Sequence, residues 1–119
     1  MISVVDDDPS VRRATVDLLS SAGFACEAFA SGDEYLQSGR VANTTCLILD
    51  ITMPGMTGLD LQRHLVGSEY SIPIIFITGY PEDSTRDQAL QAGAICYLPK
   101  PYGDDELLGC IGRALGQGD

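Results

Sequence analysis

The sequence predicts an α/β fold in which a parallel β-sheet is covered by helices on both faces. Short apolar runs alternate five times with segments of helical periodicity, a pattern typical of sheets built from strand–helix units. The runs are continuously apolar, as in residues 47–49 and 74–77, which indicates strands buried on both faces. A length of 119 residues suits one compact domain. We therefore expect a doubly wound, five-stranded parallel sheet with five helices, forming one domain over residues 1–119.

The first half of the chain predicts three strand–helix units. Pro9 suits the first turn of a helix, and Gly23 is expected to end that helix. Ser31 and Glu34 have the spacing of a capping box, and Thr57 can cap the third helix. The predicted strands are residues 2–5, 24–29 and 45–49, and the predicted helices begin near residues 9, 31 and 57.

The second half of the chain predicts two further units. Residues 72–78 are the most strand-like run, with Pro73 at its start because proline cannot donate to a ladder. Residues 94–98 form the fifth predicted strand, and an amphipathic helix follows from about residue 104. Residues 84–92 predict a polar helix whose apolar face is thin, so we expect this helix to be loosely held.

Composition excludes several classes of partner. Seventeen acidic against seven basic residues give a formal charge of −10. A domain this acidic repels phosphate backbones, so we expect no direct nucleic-acid binding. No apolar run approaches the roughly 20 residues that span a bilayer, and the N-terminus lacks the basic region of a signal peptide. We therefore expect a cytoplasmic protein with no membrane partner.

The four cysteines are widely spaced and form no CxxC pair. We interpret them as small core residues in a reducing compartment rather than as a redox or metal site. They are Cys26, Cys46, Cys96 and Cys110.

Polar residues follow four of the predicted strands. An acidic triplet, residues 6–8, follows the first strand, Asp50 the third, Thr78 the fourth and Lys100 the fifth. Because the carboxyl ends of parallel strands meet at one edge, where ligands bind, we expect these side chains to lie close together. Converging carboxylates require a cation, and a hard ion such as Mg²⁺ suits them. For Asp50 alone, capping a helix in an ordinary loop is as consistent with the sequence as chemistry.

The set of side chains favours phosphoryl transfer. The hydroxyl of Thr78 and the ammonium of Lys100 both suit phosphate oxygens. The acidic loop lacks glycine, which argues against a preformed phosphate cradle and hence against a flavin mononucleotide or P-loop protein. Aspartate is a nucleophile that forms aspartyl phosphates, so Asp50 is the predicted acceptor.

Five motifs occur in order over almost the whole chain. They are Val4-Val5-Asp6-Asp7, Leu49-Asp50-x-x-Met53-Pro54-x-Met56-x-Gly58, Ile77-Thr78-Gly79, Ala92-Gly93-Ala94 and Tyr97-x-x-Lys100-Pro101. With them the chain resembles a response-regulator receiver domain of two-component signal transduction. The resemblance implies a flavodoxin-like receiver fold with strand order 2-1-3-4-5. The motif style is similar to receivers attached to LuxR-type helix-turn-helix regulators, although a stand-alone receiver is equally consistent with the sequence.

The resemblance implies a role for each charged residue of the cluster. Asp50 would accept a phosphoryl group from the phosphohistidine of a sensor histidine kinase or a histidine phosphotransfer protein. Mg²⁺, with Mn²⁺ as a substitute, would bind Asp7 directly and Asp6 mainly through water. Asp50 and the backbone carbonyl of Thr52 would complete the protein ligands. Lys100 would bridge Asp50 and then the phosphoryl group.

Neighbouring residues would control the switch. By the same resemblance, Thr78 would move toward the phosphoryl group, and Tyr97 would turn into the space that Thr78 leaves. Gly79 would leave the approach to the phosphoryl oxygens open. Thr52 and Tyr80 would tune how fast water removes the phosphoryl group.

Two residues depart from the usual family pattern, and one peptide bond has an expected role. Asp8 stands where many members carry Glu or an apolar residue, and it can cap the first helix. Pro99 is expected to stiffen the last strand. The Lys100–Pro101 peptide is expected to be cis, as in the family, so that Pro101 helps to position the lysine.

The output would be a change of conformation on the face formed by helix 4, strand 5 and helix 5. That face would contact a partner, an attached output domain or a second receiver in a homodimer. Such a domain is not a conventional enzyme, because it catalyses only its own phosphorylation and dephosphorylation. The alternative is a pseudo-receiver, a protein-binding module without the chemistry. A Mg²⁺-dependent phosphatase is a third reading, but it would need a carboxylate where Thr52 stands.

Overall fold

The computed structural model describes residues 1–116 as a parallel sheet of five strands with helices on both faces. The strands are β1 (Ile2–Val5), β2 (Cys26–Phe29), β3 (Cys46–Asp50), β4 (Ile74–Thr78) and β5 (Cys96–Pro99). The helices are α1 (Pro9–Ser21), α2 (Gly32–Gln37), α3 (Gly58–Val66), α4 (Asp83–Gln91) and α5 (Asp104–Ala114), and a 3-10 turn covers Val41–Asn43. The strand order β2-β1-β3-β4-β5 confirms the predicted doubly wound topology.

Three strands, β2, β4 and β5, begin two residues later than the sequence predicts. Before β2 and β5 the chain closes the preceding helix, and before β4 a proline has no N–H to donate to the ladder. The backbone N–H of Phe24 donates to Leu19 at 2.9 Å, and that of Ala94 donates to Ala89 at 3.0 Å. Pro73 has no N–H, and its carbonyl accepts from Leu47 at 2.9 Å ahead of β4. Apolar character therefore starts before the ladder does.

Alternation along the strands gives the sheet two apolar faces. Residues such as Val4, Ile48 and Ile77 point toward α1 and α5, whereas Val5 and Leu49 point toward α2, α3 and α4. Full burial of one such side chain contributes about 1.5–3 kcal/mol. The helices are therefore held by the sheet, and the loops at its carboxyl edge are free to carry polar residues.

The helix starts follow the predicted capping residues. Asp8 caps α1, since its carboxylate accepts from the backbone N–H of Ser10 at 2.8 Å. Ser31 accepts from the N–H of Glu34 at 3.1 Å at the start of α2. The reciprocal capping box is found at α3, where Thr57 and Asp60 exchange both bonds. The Asp8 carboxylate thus caps α1 and does not join the cluster of acids beside it.

The loosely held helix is α4. Within it only Ala89 is buried, and its N-cap residue Glu82 makes no side-chain capping bond. By comparison, α3 buries Leu61 and Leu65 among its contacts with the sheet. The prediction of a thin apolar face is confirmed. None of the helices in residues 1–116 combines the length and apolar character needed to cross a membrane.

The interpretation of all four cysteines as free core thiols is wrong for two of them. Cys96 of β5 and Cys110 of α5 form a disulfide with their Cα atoms 6.2 Å apart. Cys26 and Cys46 are free, and Cys46 is fully buried. The pairing was missed because residues 14 positions apart meet only when α5 folds back onto the sheet, and sequence alone does not give connectivity.

Candidate functional site at the carboxyl edge of the sheet

The carboxyl edge of the sheet collects the polar residues that follow its strands. Asp50 ends β3 and Thr78 ends β4, while Asp6 and Lys100 come directly after β1 and β5. One cleft at this edge is lined by seven of the predicted site residues. They are Asp6, Asp7, Asp50, Thr52, Gly79, Tyr80 and Lys100.

Three carboxylates converge in this cleft. Asp6, Asp7 and Asp50 each offer an oxygen, and these oxygens lie within 4.8 Å of one another. Asp6 is fully buried and Asp50 is 4% exposed, whereas Asp7 is exposed. The backbone N–H of Asp8 donates to Asp6 Oδ1 at 2.9 Å, which fixes the Asp6 carboxylate in place.

A single ammonium faces two of these acids. Lys100 Nζ lies 3.1 Å from Asp6 Oδ2 and 3.8 Å from Asp50 Oδ1. Its backbone N–H donates to the carbonyl of Thr78 at 2.7 Å, and the Lys100–Pro101 peptide is cis, as expected. Burial alone would lower the pKa of Lys100, but the charges of Asp50 and Asp6 outweigh it and raise that pKa. The lysine is therefore a fixed positive charge.

The lysine does not balance the acids. Burial, followed by the negative charge of Asp6, raises the pKa of Asp50 to about 7. Lys100 and the backbone N–H of Thr52 act in the opposite direction without restoring the ordinary value. At neutral pH the Asp50 carboxyl is thus only partly ionised until a further cation arrives.

The donor set fits a hard divalent cation. Carboxylate oxygens are the ligands that Mg²⁺ prefers, and this ion keeps several waters and takes few protein ligands. Exposed Asp7 and Thr52 open the cluster to solvent on one side, which leaves room for those waters. Burial and the charge of Asp6 raise the pKa of Asp50, and a bound divalent cation would lower it again.

Gly79 and Tyr80, which follow the last residue of β4, form one wall of the cleft, and Thr78 ends the strand behind them. Thr78 is fully buried, and its Oγ1 accepts from the backbone N–H of Tyr80 at 3.0 Å. A Cβ added to Gly79 would meet no atom within 4 Å, so the space beside it is open. The side chain of Tyr80 is 73% exposed. Thr78 lies behind this wall and does not line the cleft.

Tyr97 lies outside the cleft on the neighbouring strand. It pairs with Phe76 in register, while Thr78 pairs with Pro99. By strand alternation Tyr97 and Thr78 therefore share a face of the sheet. The hydroxyl of Tyr97 accepts from the backbone N–H of Glu82 at 3.3 Å, just ahead of α4. Pro101 is likewise outside the cleft lining and is exposed.

Two residues support the site without having been assigned a role from the sequence. Arg12 Nη1 donates to the backbone carbonyl of Asp6 at 2.7 Å. A Cβ at Gly58 would lie 2.3 Å from the carbonyl oxygen of Asp50, so only glycine fits there. Gly58 stands in one of the motifs, which is a signal. Arg12 contacts backbone, and nothing in the sequence points to that contact.

Comparison with known proteins agrees with this geometry. The profile of the response regulator receiver domain matches residues 2–111. The chain belongs to this family. Nodulation protein W of Bradyrhizobium diazoefficiens is 42% identical over 111 residues, which are 93% of this chain and 49% of that protein. The response regulator protein TodT of Pseudomonas putida F1 is 41% identical, over 97% of this chain and 51% of TodT. The receiver thus spans about half the length of these curated relatives.

A solved receiver has the same fold. The crystal structure of a response regulator receiver protein from Burkholderia phymatum matches with a TM-score of 0.84 and 41% identity. The match covers 98% of this chain and 95% of that one. The predicted membership of the receiver family and its fold are therefore both confirmed.

Proposed function

We propose that this receiver is a phosphorylation switch whose acceptor is Asp50, and that one receiver domain extends over residues 1–119. The donor is the phosphohistidine of a sensor histidine kinase or of a histidine phosphotransfer protein. The observation that carries the proposal is the pairing of a buried, under-compensated carboxylate with a lysine. Asp50 Oδ1 lies 3.8 Å from Lys100 Nζ, and two further carboxylates stand within 4.8 Å.

The transfer moves a phosphoryl group between two acceptors. A carboxylate oxygen of Asp50 attacks phosphorus, the P–N bond to histidine breaks, and the imidazole takes the electron pair. Lys100 holds its ammonium beside Asp50 and then beside a phosphoryl oxygen, while the hydroxyl of Thr78 donates to another. Most of the rate gain comes from this positioning and charge neutralisation.

Mg²⁺, or Mn²⁺ in its place, would be held by carboxylates and one carbonyl. Asp7 and Asp50 would bind it directly, Asp6 mainly through water, and Thr52 through its backbone oxygen. When bound, the ion supplies positive charge to the phosphoryl oxygens and to the acids. Before the ion binds, the raised pKa leaves Asp50 partly protonated, and the open side of the cleft would admit the ion that favours the ionised carboxylate.

The residues around the cleft would set the lifetime of the phosphoryl group. Thr52 and Tyr80 are exposed on its rim, where they would screen or admit the water that hydrolyses the acyl phosphate. Gly79 adds no bulk on the approach to its oxygens. Pro101 would keep Lys100 aligned. The domain in this way catalyses its own phosphorylation and dephosphorylation and acts as no conventional enzyme.

The conformational change on phosphorylation would pass from Thr78 and Tyr97 to the face formed by α4, β5 and α5. The sparse packing of α4 and the bond between Tyr97 and the start of α4 support this route. A homodimer through this face, or contact with an output domain in a longer protein, would read the change. The site is expected in the cytoplasm, where histidine kinases present their phosphohistidine, and the receiver itself would bind no nucleic acid.

The test is phosphoryl uptake from a small acyl phosphate in the presence of Mg²⁺, followed by intact mass. The wild type is expected to gain one acid-labile phosphoryl group. Asp50→Asn is expected to gain none, and chelation of the metal is expected to prevent uptake. Asp33→Asn is the matched control, because Asp33 is an exposed carboxylate on α2. An unmodified wild type, or an equal adduct on Asp50→Asn, would overturn the assignment.

A further inference from the structure

The disulfide between Cys96 and Cys110 joins two elements of the α4–β5–α5 face. Cys96 is the first residue of β5, which is an edge strand of the sheet. Cys110 lies in the second half of α5, where Leu107 and Ile111 pack onto the sheet. The bond therefore fixes the distal half of α5 to the edge strand, beside Tyr97.

A guanidinium lies against both sulfurs. Arg113 Nη2 is 2.7 Å from Cys96 Sγ and 3.3 Å from Cys110 Sγ. Arg113 is three residues after Cys110, so both side chains lie on the same side of α5. A nearby cation stabilises the thiolate, which is the form that attacks a disulfide. After reduction, the two cysteines would therefore re-form their disulfide readily.

The remaining cysteines lack this arrangement. Cys46 in β3 is buried, as Cys96 and Cys110 are, but burial acts unopposed on its thiol and raises its pKa to about 12. Cys26 is free, with a serine hydroxyl and a backbone carbonyl as its polar neighbours. The chain thus contains one disulfide with a cation beside it and two free thiols. The two free thiols serve as controls in experiments on the disulfide.

We propose that Cys96 and Cys110 form a reversible redox pair that braces α5 against β5 when oxidised and releases it when reduced. The effect on signalling rests on the proposed function, because the braced face is the one expected to rearrange on phosphorylation. In a reducing compartment, disulfides are mostly transient or redox-sensing. The pair would let oxidation state limit the response of this face.

The exchange balances with a small-molecule disulfide as oxidant. One cysteine thiolate attacks the acceptor disulfide, whose S–S bond breaks and releases a thiolate. The second cysteine then attacks the mixed disulfide, closes the Cys96–Cys110 bond and releases the other thiolate. Two protons and two electrons leave the protein, and the acceptor becomes two thiols. A dithiol reductant reverses both steps.

The first test is chemical and needs no phosphoryl group. The full chain is equilibrated with oxidised glutathione or with dithiothreitol, quenched, unfolded and alkylated. Peptide masses are expected to show Cys96 and Cys110 linked to each other after oxidation and both alkylated after reduction. Buried Cys46 is expected to be alkylated in both samples, and Cys26 is expected to be alkylated after reduction and to carry at most one glutathione after oxidation. Free Cys96 and Cys110 after oxidation would overturn the proposal.

The second test separates the role of Arg113 from packing. Arg113→Gln is expected to slow closure of the bond by glutathione disulfide roughly fivefold, since the thiolate loses its cation. Arg113→Lys keeps the charge and is expected to close at nearly the wild-type rate. Equal rates for wild type and Arg113→Gln would remove Arg113 from the proposal.

The third test measures the brace by hydrogen exchange of α5 with and without the acyl phosphate. Oxidation is expected to slow exchange in the second half of α5 roughly tenfold and to reduce the change that phosphorylation causes there. A Cys96→Ala/Cys110→Ala variant is expected to be insensitive to redox state, whereas Cys26→Ala behaves like wild type. Equal α5 exchange in the two redox states would overturn the brace.

The two proposals fail in different ways. If the wild type takes up no phosphoryl group, the proposed function fails, and the unphosphorylated exchange data still decide the brace. If uptake is normal but the phosphorylation-induced change is the same in both redox states, the coupling to signalling is overturned.

Discussion

Two polar clusters at opposite ends of the sheet differ in how their polar groups are satisfied. At the amino end, Thr44 Oγ1 accepts from Tyr35 at 2.8 Å, contacts Ser3 Oγ at 2.8 Å and donates to the carbonyl of Arg40 at 2.9 Å. One donor and two lone pairs are all that a hydroxyl offers. This cluster is neutral and complete.

The cluster at the carboxyl end is complete in hydrogen bonds but not in charge. No buried side-chain nitrogen or oxygen in the part of the chain that the structure describes lacks a hydrogen-bond partner. Yet Asp6, Asp7 and Asp50 meet one ammonium, that of Lys100. The neutral cluster is therefore satisfied by folding alone, whereas the charged one keeps an excess of negative charge that a divalent cation would balance. The proposed function depends on the charged cluster.

Removing the ammonium breaks the charged cluster most severely. Lys100→Met is expected to lower the free energy of unfolding by about 3 kcal/mol without metal, because buried Asp6 and Asp50 lose their partner. It is also expected to abolish rapid phosphoryl uptake. Urea denaturation and intact mass measure the two effects.

The control for Lys100→Met is Arg86→Met. Arg86 makes only exposed ion pairs, at 3.7 Å to Asp83 and 3.8 Å to Asp87. Its replacement is expected to change stability by less than about 0.5 kcal/mol. Similar losses of unfolding free energy in the two variants would mean that Lys100 stabilises the protein no more than an exposed ion pair does.

The raised pKa of Asp50 predicts how stability depends on pH without metal. The pKa of about 7 in the folded protein exceeds the ordinary aspartate value of 3.8, so the native state holds this proton more tightly. Stability from this group falls as pH rises from about 4 to about 7 and stays low above that. Asp50→Asn removes the penalty and is expected to be more stable than wild type at pH 8, by on the order of a few kcal/mol. Chelator-treated samples in urea at pH 5 and pH 8 test this, and equal differences at both pH values would contradict it.

Adding a divalent cation is expected to stabilise the charged cluster. Millimolar Mg²⁺ should raise the melting temperature of the wild type by about 5 °C at pH 8, since it binds the native acids selectively. The rise should be smaller at pH 5, because a protonated Asp50 competes with the metal. Asp7→Asn is expected to reduce the rise at both pH values. If Asp7→Asn kept the full rise in melting temperature, the metal would bind at another site.

How much was predictable differs between the two ends of the sheet. The fold and the gathering of Asp6, Asp50 and Lys100 follow from strand periodicity and from the shared edge of parallel strands. The neutral cluster could not be foreseen, because Ser3, Thr44 and Tyr35 are joined only by the packed tertiary structure.

Other features needed the structure for related reasons. The disulfide depends on where α5 lands on β5. The need for glycine at position 58 depends on the nearby carbonyl of Asp50, from which an added Cβ would lie only 2.3 Å away. The contact of Arg12 with the carbonyl of Asp6 leaves no trace in residue type. Sequence locates side chains along strands, and packing decides which distant backbone they meet.

The smallest expected effect tests whether the neutral cluster is independent of the charged one. Tyr35→Phe keeps the ring against Phe29, whose centroid lies 5.3 Å away, and removes only the hydroxyl that donates to Thr44. The expected loss is about 1 kcal/mol of unfolding free energy, typical of one hydrogen bond. Tyr70→Phe, at an exposed tyrosine, should lose almost nothing. Because the neutral cluster is complete without a cation, Tyr35→Phe should retain the full thermal shift with Mg²⁺, and a diminished shift would show that the two ends of the sheet are coupled.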